Sequence, residues 1–425
     1  MTAGAARTSG VGAGTLIIGA SQAGLQIASS LRELGNTEPI TLVGAEAHAP
    51  YQRPPLSKTY LLGQADKETL AFRTPAYYTQ TGIDLVCGER VSEIDLAADG
   101  SGGVARTDVG RSLPFARLAL AVGGRPRRLD VPGRDLDGVC YLRGLDDAIA
   151  LRARMSTAEH VVVVGGGFIG LEAAAVARAV GKQVTVVEAA DRILPRAVAP
   201  MVSQFYRDAH ARRGTTVLTS TGVTEFNGEA GRVTGVRLDD GTVLRAEVVV
   251  VGVGMLPETD LAQQLSIACD GGIVVDRHAR TSNPSVVAAG DCTVMPHPLT
   301  GEGRVRLESV QNAVAQARVA ASTLNGRLEH TRTVPWFWSD QYDLKLQIAG
   351  LSTDYDQSVV RGEPDSERFS VLYYRAGRLI AVDAVNRPMD YMAVRKALAD
   401  DANISPERVE DVDVPLKSLI VRDAA

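Results

Sequence analysis

The sequence contains the same pattern twice: an apolar strand that runs into a glycine-rich turn and then a helix. In the clearer copy, Val161–Val164 is strand-like, Gly165–Gly170 reads GGGFIG, and an alanine-rich helix extends to Gly181. The other copy has the turn GASQAG at Gly19–Gly24, followed by apolar residues at helical spacing up to Gly35. The first glycines lie 165 − 19 = 146 residues apart, too far for a short tandem repeat. The pattern therefore predicts an α/β chain with two nucleotide-binding units, one inserted into the other.

The turn at Gly165–Gly170 is a complete G-x-G-x-x-G between a strand and a helix. Gly165 permits the tight turn, Gly167 lets the backbone approach a pyrophosphate, and Gly170 allows close packing of helix on strand. The start of the helix offers free N–H groups to phosphate. Glu188 follows the next strand, where a carboxylate would bind both ribose hydroxyls of NADH and repel a 2′-phosphate. The alternative for Glu188 is a solvated loop acid, and Arg192 nearby would soften the preference for NADH.

The turn at Gly19 departs from this fingerprint in two places. Ser21 replaces the central glycine, although a small side chain is still compatible with close approach to a ligand. Gly44 stands where the second copy has Glu188, and Glu46 is the next acid along the chain. This copy is a weaker match, and it predicts a second dinucleotide site of less regular form.

The rest of the chain contains further strands and two crossovers. Leu118–Val122 and Val248–Val251 are apolar strands, and each is followed by closely spaced glycines and a proline. Val286–Ala289 is another apolar strand, which ends at a Gly-Asp pair, and a helix is predicted from about Ser309 to Leu324. The final segment has alternating strands such as Phe369–Tyr374. It predicts a small α/β C-terminal domain.

Several isolated residues are candidates for the site. Asp291 follows a strand and suits a polyol hydroxyl such as that of a flavin ribitol, although a turn-forming Asp is the alternative. Pro54–Pro55 restricts the loop before Lys58, a cation that would stabilise a developing anion or else lie on the surface. Trp336 and Trp338 share one face of a strand. They either pack in the core or present an indole to a planar ring.

Composition and charge exclude several classes of protein. The 45 Lys and Arg residues against 50 Asp and Glu residues give a net charge of −5, which disfavours nucleic-acid binding. No apolar run is long enough to span a membrane. The N-terminal residues 1–13 are small and polar and lack a signal-peptide core. We therefore expect a disordered tail on a cytoplasmic protein.

The cysteines and histidines do not form a metal or redox motif. The four cysteines, at 87, 140, 269 and 292, include no C-x-x-C pair, so we expect buried structural thiols and no dithiol relay. The six histidines lack metal-ligand spacing, so no metal site is predicted.

With these residues in view, nearly the whole chain resembles the FAD-dependent NADH:ferredoxin reductases of bacterial oxygenase systems, the putidaredoxin and rhodocoxin reductase type. The resemblance rests on seven segments: GASQAG, YQRPPLSK (Tyr51–Lys58), GGGFIGLE (Gly165–Glu172), VVAAGDC (Val286–Cys292), VRLESVQNA (Val305–Ala313), VPWFWSDQY (Val334–Tyr342) and AVNRP (Ala384–Pro388).

The resemblance implies a glutathione-reductase-like fold with two Rossmann-type nucleotide-binding domains and a small α/β C-terminal domain. It implies an FAD-binding domain at residues 14–118 and 252–328, an NAD-binding domain at 119–251 and a C-terminal domain at 329–425. The candidate FAD-binding residues are Gly19, Ala23, Gly24, Glu46, Arg53, Lys58, Val91, Arg143, Asp291 and Val310. The candidate NADH-binding residues are Gly165, Gly167, Ile169, Gly170, Glu188 and Gly252. The family's ribose acid falls on Ala45 here, so Glu46 is taken as its substitute.

The resemblance also implies a function and a partner. NADH would reduce the flavin, and the electrons would leave singly to a [2Fe–2S] ferredoxin that serves an oxygenase. Lys58 and Glu172 would form an ion pair near the flavin, and Trp338 would shield its other side. Because ferredoxins are usually acidic, Arg73 in the loop after the YQRPPLSK segment and Arg318 in the helix from about Ser309 are candidate docking residues, and the alternative for each is a solvated charge. Two alternatives remain open, an NADH oxidase or peroxidase of the same fold and a non-enzymatic flavoprotein like the apoptosis-inducing factor relatives. Oligomeric state is not predicted.

Overall fold

The computed structural model describes residues 13–97, 100–329 and 332–422, so the tail predicted for residues 1–13 lies outside the described residues apart from the last of them. The helices are α1 (Gln22–Glu33), α2 (Lys67–Leu70), α3 (Pro75–Thr81), α4 (Leu145–Thr157), α5 (Phe168–Ala179), α6 (Pro200–Arg212), α7 (Asp260–Gln264), α8 (Val310–Leu324) and α9 (Pro388–Ala399).

The strands of the first half are β1 (Thr15–Ile18), β2 (Ile40–Gly44), β3 (Ile83–Cys87), β4 (Val91–Leu96), β5 (Gly103–Thr107), β6 (Ser112–Phe115), β7 (Arg117–Leu120), β8 (Gly124–Pro126), β9 (Val139–Tyr141), β10 (His160–Val164), β11 (Gln183–Val187) and β12 (Thr215–Leu218). Those of the second half are β13 (Val223–Glu229), β14 (Arg232–Leu238), β15 (Val243–Arg245), β16 (Val248–Val251), β17 (Met255–Pro257), β18 (Ile273–Val274), β19 (Val286–Ala288), β20 (Thr293–Pro296), β21 (Arg304–Val305), β22 (Trp336–Gln341), β23 (Leu344–Gly350), β24 (Gln357–Glu363), β25 (Arg368–Arg375), β26 (Arg378–Val385), β27 (Asn403–Ile404) and β28 (Ile420–Val421).

The described part of the chain divides into two compact units, each made of segments that are distant in sequence. The first unit contains the residues up to Gln52 with Ala71–Arg125 and Pro257–Thr333, and the second contains Arg53–Leu70, Pro126–Leu256 and the residues from Val334 onwards. The three domain ranges expected from the sequence stay a prediction, because this division is into two units rather than three.

The first unit is built on a five-stranded parallel sheet in the order β19-β7-β1-β2-β3. All four residues of β1 are buried, as is typical of a central parallel strand covered on both faces. Helices α1 and α8 cover one face, where Leu25, Ala28 and Leu31 of α1 enter the core. The other face packs against residues of the antiparallel sheet β4-β5-β6. The predicted first helix and its apolar face are therefore confirmed.

The second unit contains another five-stranded parallel sheet, in the order β12-β11-β10-β16-β9. The valine runs Val161–Val164 and Val248–Val251 lie side by side in register and are buried. Helix α5 contacts β10 and β11. The antiparallel sheet β13-β14-β15 contributes Phe226 and Val236 to the same core. Both predicted nucleotide-binding sheets are thus present, and the parallel order explains why their central strands are uninterrupted apolar runs.

The C-terminal part of the second unit is an antiparallel sheet in the order β22-β23-β26-β25-β24, with α9 against β23 and β26. Its last segment is held by Arg361, which is 1% exposed. The Arg361 guanidinium lies 3.3 Å from the Asp390 carboxylate and donates to the backbone carbonyls of Val409 at 2.8 Å and Val414 at 2.9 Å. A buried charge with these acceptors fixes the segment that follows α9.

Candidate functional site

The second glycine turn is shaped by close backbone contacts. A Cβ atom at Gly165, whose φ is +107°, would lie 2.4 Å from the carbonyl oxygen of Gly252, and one at Gly170 would lie 2.2 Å from that of Gly165. Packing within the protein therefore requires glycine at both positions. For a Cβ atom placed on Gly167, the nearest atom apart from its neighbours in sequence would be the Gly252 oxygen, at 4.0 Å. The space in front of Gly167 is open, which fits the pyrophosphate that this turn is predicted to bind.

Helix α5 starts directly from this turn, with Gly167 as its N-cap and Phe168 as its first residue. The first N–H groups of a helix have no partner within the helix, and they carry the positive end of its dipole. Ile169, in the first turn of the helix, is 46% exposed although it is apolar. A helix N-terminus that stays accessible beside an open glycine turn can bind phosphate.

Glu188 lies immediately after β11, beside the same turn. One carboxylate oxygen accepts a hydrogen bond from the N–H of Gly166 at 2.7 Å, and the other from the N–H of Ala190 at 2.8 Å. These bonds fix the carboxylate, and each oxygen keeps a lone pair for a ribose hydroxyl. The guanidinium of Arg192 donates to the carbonyl of Pro195 at 2.6 Å, to a second carbonyl of the same loop and to a hydroxyl of helix α6. Its contacts give no support to the predicted softening of NADH preference.

The first glycine turn meets the same two packing requirements. A Cβ atom at Gly19, whose φ is +114°, would lie 2.0 Å from the carbonyl oxygen of Ala121, and one at Gly24 would lie 1.9 Å from that of Gly19. Ser21 is the N-cap of α1 and has an extended backbone, with φ −138°. Ser21 is equivalent to Gly167 of the second turn, and at Gly167 the protein leaves room for a side chain. Ala23 is buried beneath the turn.

The acid at the end of the second strand is where the two turns differ most. A Cβ atom at Gly44 would lie 2.5 Å from the Cβ of Ala20, so this backbone does not admit an acidic side chain there. Glu46 is half-buried two residues further on, and its carboxylate accepts a hydrogen bond from the hydroxyl of Tyr51. The acid that follows β2 is therefore Glu46, two residues beyond the strand end, and its role at the first turn stays a prediction.

Asp291 lies on a turn that is hydrogen-bonded to helix α8. The turn follows β19, and its Gly290 has a φ of +91°. The side-chain oxygen of Gln316 accepts from the N–H of Gly290 and from the hydroxyl of Thr293, each at 2.8 Å. Because Gln316 belongs to α8, which begins at Val310, the turn and this helix form one hydrogen-bonded assembly. Sequence analysis missed Gln316.

A buried ion pair connects the loop before α2 with helix α5. The Nζ atom of Lys58 lies 2.7 Å from Oε2 of Glu172, and the two side chains are 16% and 4% exposed. The hydroxyl of Ser57 donates to the same carboxylate oxygen at 2.5 Å, and the hydroxyl of Ser339 donates to the other at 2.6 Å. The ion pair expected from the resemblance is therefore present in the second unit.

The ionisation of Glu172 depends on opposing influences. Burial raises the pKa of the Glu172 carboxyl above its ordinary value, and the Lys58 ammonium and the hydroxyls of Ser339 and Ser57 offset part of that increase. All three neighbours can donate hydrogen bonds to the carboxyl oxygens, an arrangement that favours the charged form. The site thus combines one negative and one positive charge in a poorly hydrated place, where each stabilises the other.

The two tryptophans lie on one face of β22. Their ring centroids are 5.5 Å apart, and the guanidinium of Arg395 lies 5.2 Å from the ring centroid of Trp336. On the opposite face of the strand, Phe337 contacts Phe168 of α5, with 4.6 Å between ring centroids. Trp336 and Trp338 are both half-buried. Core packing therefore does not account for either, and indole surface remains available to a planar ring.

The remaining cofactor candidates lie in both units. In the second unit, the guanidinium of Arg53 donates to the backbone carbonyl of Arg143 at 2.7 Å. Arg143 itself precedes α4, and its N–H donates to Asp147 at 3.0 Å. Val91 is buried at the start of β4 in the first unit. The two hydrogen bonds fix the backbone of Arg143.

The two arginines predicted to bind a partner both lie on the first unit. Arg73 is exposed and its guanidinium lies 5.1 Å from the ring centroid of Tyr77 in α3. The Tyr77 hydroxyl lies 2.9 Å from the hydroxyl of Ser29 in α1. Arg318 is exposed on α8, which packs against α1. Both charges are therefore carried by segments that share α1 as a neighbour.

The described residues contain no cluster of His, Cys, Asp and Glu that could hold a metal ion, and no helix among them is long and apolar enough to cross a membrane.

All four cysteines are free, and Cys292 is the buried one, so the expectation of buried thiols is wrong for the three that are half-buried. Burial raises the pKa of Cys140 to about 11 and that of Cys292 to about 12. These thiols are protonated at neutral pH, which suits packing rather than redox chemistry.

Comparison with known protein families identifies the class. Residues 14–317 match the family model described as pyridine nucleotide-disulphide oxidoreductase, and residues 336–420 match the reductase C-terminal family. The chain therefore belongs to the pyridine nucleotide-disulphide oxidoreductase family. This result confirms the glutathione-reductase-like fold class, and FAD and NADH are the cofactors of the family. The glycine turns described above fit both dinucleotides, because each turn has close-packed outer glycines beside a helix N-terminus.

Individual relatives narrow the class further. The chain is 46% identical to rhodocoxin reductase from Rhodococcus erythropolis over 96% of its own length and 94% of the relative's. It is 40% identical to putidaredoxin reductase from Pseudomonas putida, over 95% of this chain and 96% of the relative. These relatives confirm the resemblance stated from the sequence segments.

Two solved structures are similar along nearly their whole length. The ferredoxin reductase for the CYP199A2 system from Rhodopseudomonas palustris has a TM-score of 0.90 and 43% identity, with 95% of this chain and 99% of that one covered. The covalent putidaredoxin reductase–putidaredoxin complex has a TM-score of 0.91 and 39% identity, with 96% and 97% covered.

Sequence analysis missed the polar residues that surround Glu172. Ser57 and Ser339 were not singled out, although both lie inside segments that carried the family resemblance. The available signal was strand alternation: positions 337, 339 and 341 share the face opposite the tryptophans. A serine and a glutamine on that inward face indicate buried polar groups that need partners.

Proposed function

We propose that this protein is an FAD-dependent reductase that passes electrons from NADH through the flavin to a [2Fe–2S] ferredoxin serving a bacterial oxygenase. The observation that carries the proposal is the presence of two glycine turns in one chain, each with close-packed outer glycines next to a helix N-terminus. Two dinucleotide sites are what a hydride transfer from NADH to FAD requires. The named relatives, which are ferredoxin reductases of oxygenase systems, support the acceptor.

The proposed FAD-binding residues of the first unit are Gly19, Ala23, Gly24, Glu46, Val91, Asp291 and Val310, and those of the second unit are Arg53, Lys58 and Arg143. Glu46 would bind the ribose and Asp291 a ribitol hydroxyl. The N-terminus of α8 at Val310 would stabilise negative charge on the reduced ring through the helix dipole. The ranges 14–118 and 252–328 are proposed as the FAD-binding domain.

The proposed NADH-binding residues are Gly165, Gly167, Ile169, Gly170, Glu188 and Gly252, within a domain proposed at residues 119–251. The open position at Gly167 and the N-terminus of α5 would receive the pyrophosphate. Glu188 would bind the adenosine ribose hydroxyls, since its fixed carboxylate retains free lone pairs. A 2′-phosphate at the same place would meet a like charge, so NADPH would bind less well.

When bound, the flavin accepts a hydride from NADH and releases electrons one at a time. Lys58 would act by keeping a positive charge next to the flavin as negative charge develops there. Glu172 would hold Lys58 in place through the 2.7 Å ion pair. Trp338 would exclude water from the other side of the ring, and the C-terminal domain proposed at residues 329–425 carries this residue.

The half-buried and buried thiols bear on the alternative of an NADH oxidase or peroxidase. Burial raises the pKa of Cys87 and Cys269 as well as those of the other two cysteines. A peroxide-reactive cysteine needs a lowered pKa, because the thiolate is the nucleophile. The described cysteines lack this property, which favours a one-electron acceptor over peroxide as the terminus of the electron path.

Steady-state turnover with different acceptors tests the proposal. The FAD-loaded protein should oxidise NADH quickly with a [2Fe–2S] ferredoxin and slowly with oxygen alone. Equal NADH oxidation with and without ferredoxin would instead identify an oxidase. Negligible steady-state NADH oxidation both with and without ferredoxin, together with a stable NADH-induced change in partner binding, would favour the non-enzymatic alternative.

A further inference from the structure

A chain of hydrogen bonds extends from Glu172 into the C-terminal sheet and ends at helix α6. The hydroxyl of Ser339 donates to Oε1 of Glu172 at 2.6 Å, and Nε2 of Gln341 donates to Oγ of Ser339 at 3.2 Å. The side-chain oxygen of Gln341 lies 2.9 Å from Nε2 of His210. Beyond His210, Nδ1 lies 3.5 Å from the Tyr342 hydroxyl. Ser339, Gln341 and His210 are each 0% exposed, so no water competes for these bonds.

The hydrogen-bond direction along this chain follows from the placement of the Gln341 amide, whose oxygen faces His210 and whose NH₂ group faces Ser339. Because the oxygen of Gln341 faces His210, the imidazole must donate from Nε2. Burial lowers the pKa of His210 to about 4, so the ring is neutral at physiological pH and carries a single proton. The Gln341 amide is then oriented with its NH₂ group toward Ser339. Ser339 receives that bond, and its own hydroxyl hydrogen is free to point at Glu172.

The reverse direction would require a different state of Glu172. If the Gln341 amide were turned over, its oxygen would accept from Ser339, and the Ser339 hydrogen would no longer reach Glu172. The carboxyl of Glu172 would then need its own proton to bond Ser339. The observed direction, with successive donors leading to Oε1, therefore stabilises the carboxylate form of Glu172.

We propose that Ser339, Gln341 and His210 are positioning residues that keep Glu172 ionised and thereby hold Lys58 beside the flavin. The inference rests on the proposed role of the Lys58–Glu172 pair and extends it into the VPWFWSDQY segment, whose inward-facing polar residues had no assigned role. None of the three residues is proposed to touch a substrate or cofactor. Each acts through its neighbour in the chain.

The other groups that face Glu172 are few. Lys58 supplies the charge and Ser57 the remaining hydroxyl, both from the segment before α2. The strands packed against α5 are β10, β11, β12, β16 and β22. Beyond β22, the titratable side chain on these strands is His160 at the start of β10, which lies 3.4 Å from Glu247. Asp340 of β22 points to the face opposite Ser339 and Gln341. Changes in the titration of Glu172 can therefore be assigned to its own partners.

The experiment is the pH profile of flavin reduction by NADH, measured by stopped flow on the FAD-loaded protein. In Ser339→Ala, loss of a donor to the carboxylate raises the pKa of Glu172. The acid limb of the profile should therefore move to higher pH, by about one unit or more for a hydrogen bond to a charged group. Gln341→Met removes the hydrogen bond that orients the Ser339 hydroxyl. It should move the acid limb in the same direction as Ser339→Ala, by a smaller amount.

Two further variants separate positioning from folding. Ser339→Thr keeps a hydroxyl and should restore the wild-type profile. Ser370→Ala is the matched control, because Ser370 is also 0% exposed, lies in the same sheet, and donates to a buried carboxylate, that of Asp390, at 3.1 Å. Its profile should coincide with the wild type.

The inference is overturned if Ser339→Ala and Gln341→Met bind FAD and give profiles that coincide with the wild type. It is also overturned if Ser339→Ala, Ser339→Thr and Gln341→Met all lose FAD while Ser370→Ala retains it, since the chain would then serve folding alone. Failure of the proposed function is a separate result: the wild-type flavin would not be reduced by NADH at any pH.

Discussion

The two glycine turns agree at the positions that the backbone constrains and differ at the positions proposed to face a ligand. Gly19 and Gly165 have φ values of +114° and +107°, and each would place a Cβ atom within 2.4 Å of a carbonyl oxygen across the crossover. The strand ends differ: the second turn has Glu188 there, whereas the first has Gly44 packed on Ala20. The shared geometry sets the fold of each turn, and we expect the differences to set which dinucleotide each one binds.

The middle position of each turn shows the same distinction between constraints from the backbone and constraints from the ligand. Gly167 has no close protein neighbour at its Cβ position, and Ser21 occupies the equivalent place in the first turn. A side chain is therefore tolerated by the protein, and any cost of having one must come from the ligand. The comparison predicts that substitutions at the outer glycines damage folding of the turn, whereas those at the middle position change affinity alone.

The largest effect is expected from Gly24→Ala and Gly170→Ala, whose Cβ atoms would lie 1.9 Å and 2.2 Å from a backbone oxygen. No side-chain rotation relieves such a contact, so we expect a local cost of about 3 kcal/mol or more. Gly24→Ala should lose FAD. Gly170→Ala should keep FAD but lose most NADH-driven flavin bleaching. FAD content after gel filtration and stopped-flow absorbance measure the two outcomes.

Gly35→Ala and Gly181→Ala are the matched controls for these substitutions. Both glycines follow the helix of their turn, have positive φ values of +80° and +84°, and have no atom within 4 Å of the place that a Cβ would occupy. Each should cost about 1 kcal/mol of stability through backbone strain and leave both cofactors bound. A selective loss of FAD or NADH in these controls would contradict the packing explanation.

The next effect concerns Glu188. Glu188→Gly gives the second turn the residue found at Gly44, and it should reduce the NADH-to-NADPH ratio of kcat/KM by about 10- to 100-fold, since hydrogen bonds to a charged group are lost. The change should appear mainly in KM for NADH. Glu46→Ala is the counterpart in the first turn and should leave this ratio unchanged while weakening FAD retention. A ratio that stays constant in Glu188→Gly would remove Glu188 from the site.

A smaller effect is expected at the proposed partner face, which lies on the first unit alone. Arg73→Glu and Arg318→Glu should each raise KM for ferredoxin by about 3- to 10-fold, because like charges would oppose encounter. Rising salt should weaken the wild-type interaction, and ferricyanide reduction should barely change. Arg277→Glu, at another exposed arginine of the first unit, is the control. Equal losses with ferredoxin and ferricyanide would indicate damage to the flavin site instead.

The smallest effect is expected at the middle positions of the turns. Ser21→Gly should change FAD affinity by less than about threefold, and Gly167→Ser should weaken NADH binding by a similar small factor, because the protein has room for either residue. Isothermal titration of apoprotein with FAD, and KM for NADH, measure these changes. A loss as large as that of Gly170→Ala would contradict the prediction and show that NADH approaches Gly167 too closely for any side chain.

The parallel sheets were predictable because their signal is local. Four consecutive valines in Val161–Val164 and again in Val248–Val251 indicate central buried strands, and the glycines that follow indicate where each strand ends. The grouping of Arg53–Leu70 with the second unit was not predictable. Nothing in the sequence of these residues indicates that Lys58 pairs with Glu172 of helix α5.

The polar surroundings of Glu172 were hidden from the sequence for a similar reason. Ser339 and Glu172 are separated by 167 residues, and their hydrogen bond exists only once β22 packs on α5. The resemblance supplied Lys58 and Glu172, but a serine has no signature that marks it as a donor to a distant carboxylate. Register and packing determine such contacts, and both are properties of the folded chain.

The strand order of the first sheet has a consequence for synthesis on the ribosome. Strand β7 ends at Leu120, and its neighbour β19 begins only at Val286, after the whole parallel sheet of the second unit has been made. The sheet of the second unit uses strands between Val139 and Leu218 together with β16, which ends at Val251. During translation the parallel sheet of the second unit can therefore form first, while one edge of β7 remains unpaired until β19 has been made. An apolar strand edge that stays open for that interval is where a nascent chain of this topology is most exposed to wrong pairing.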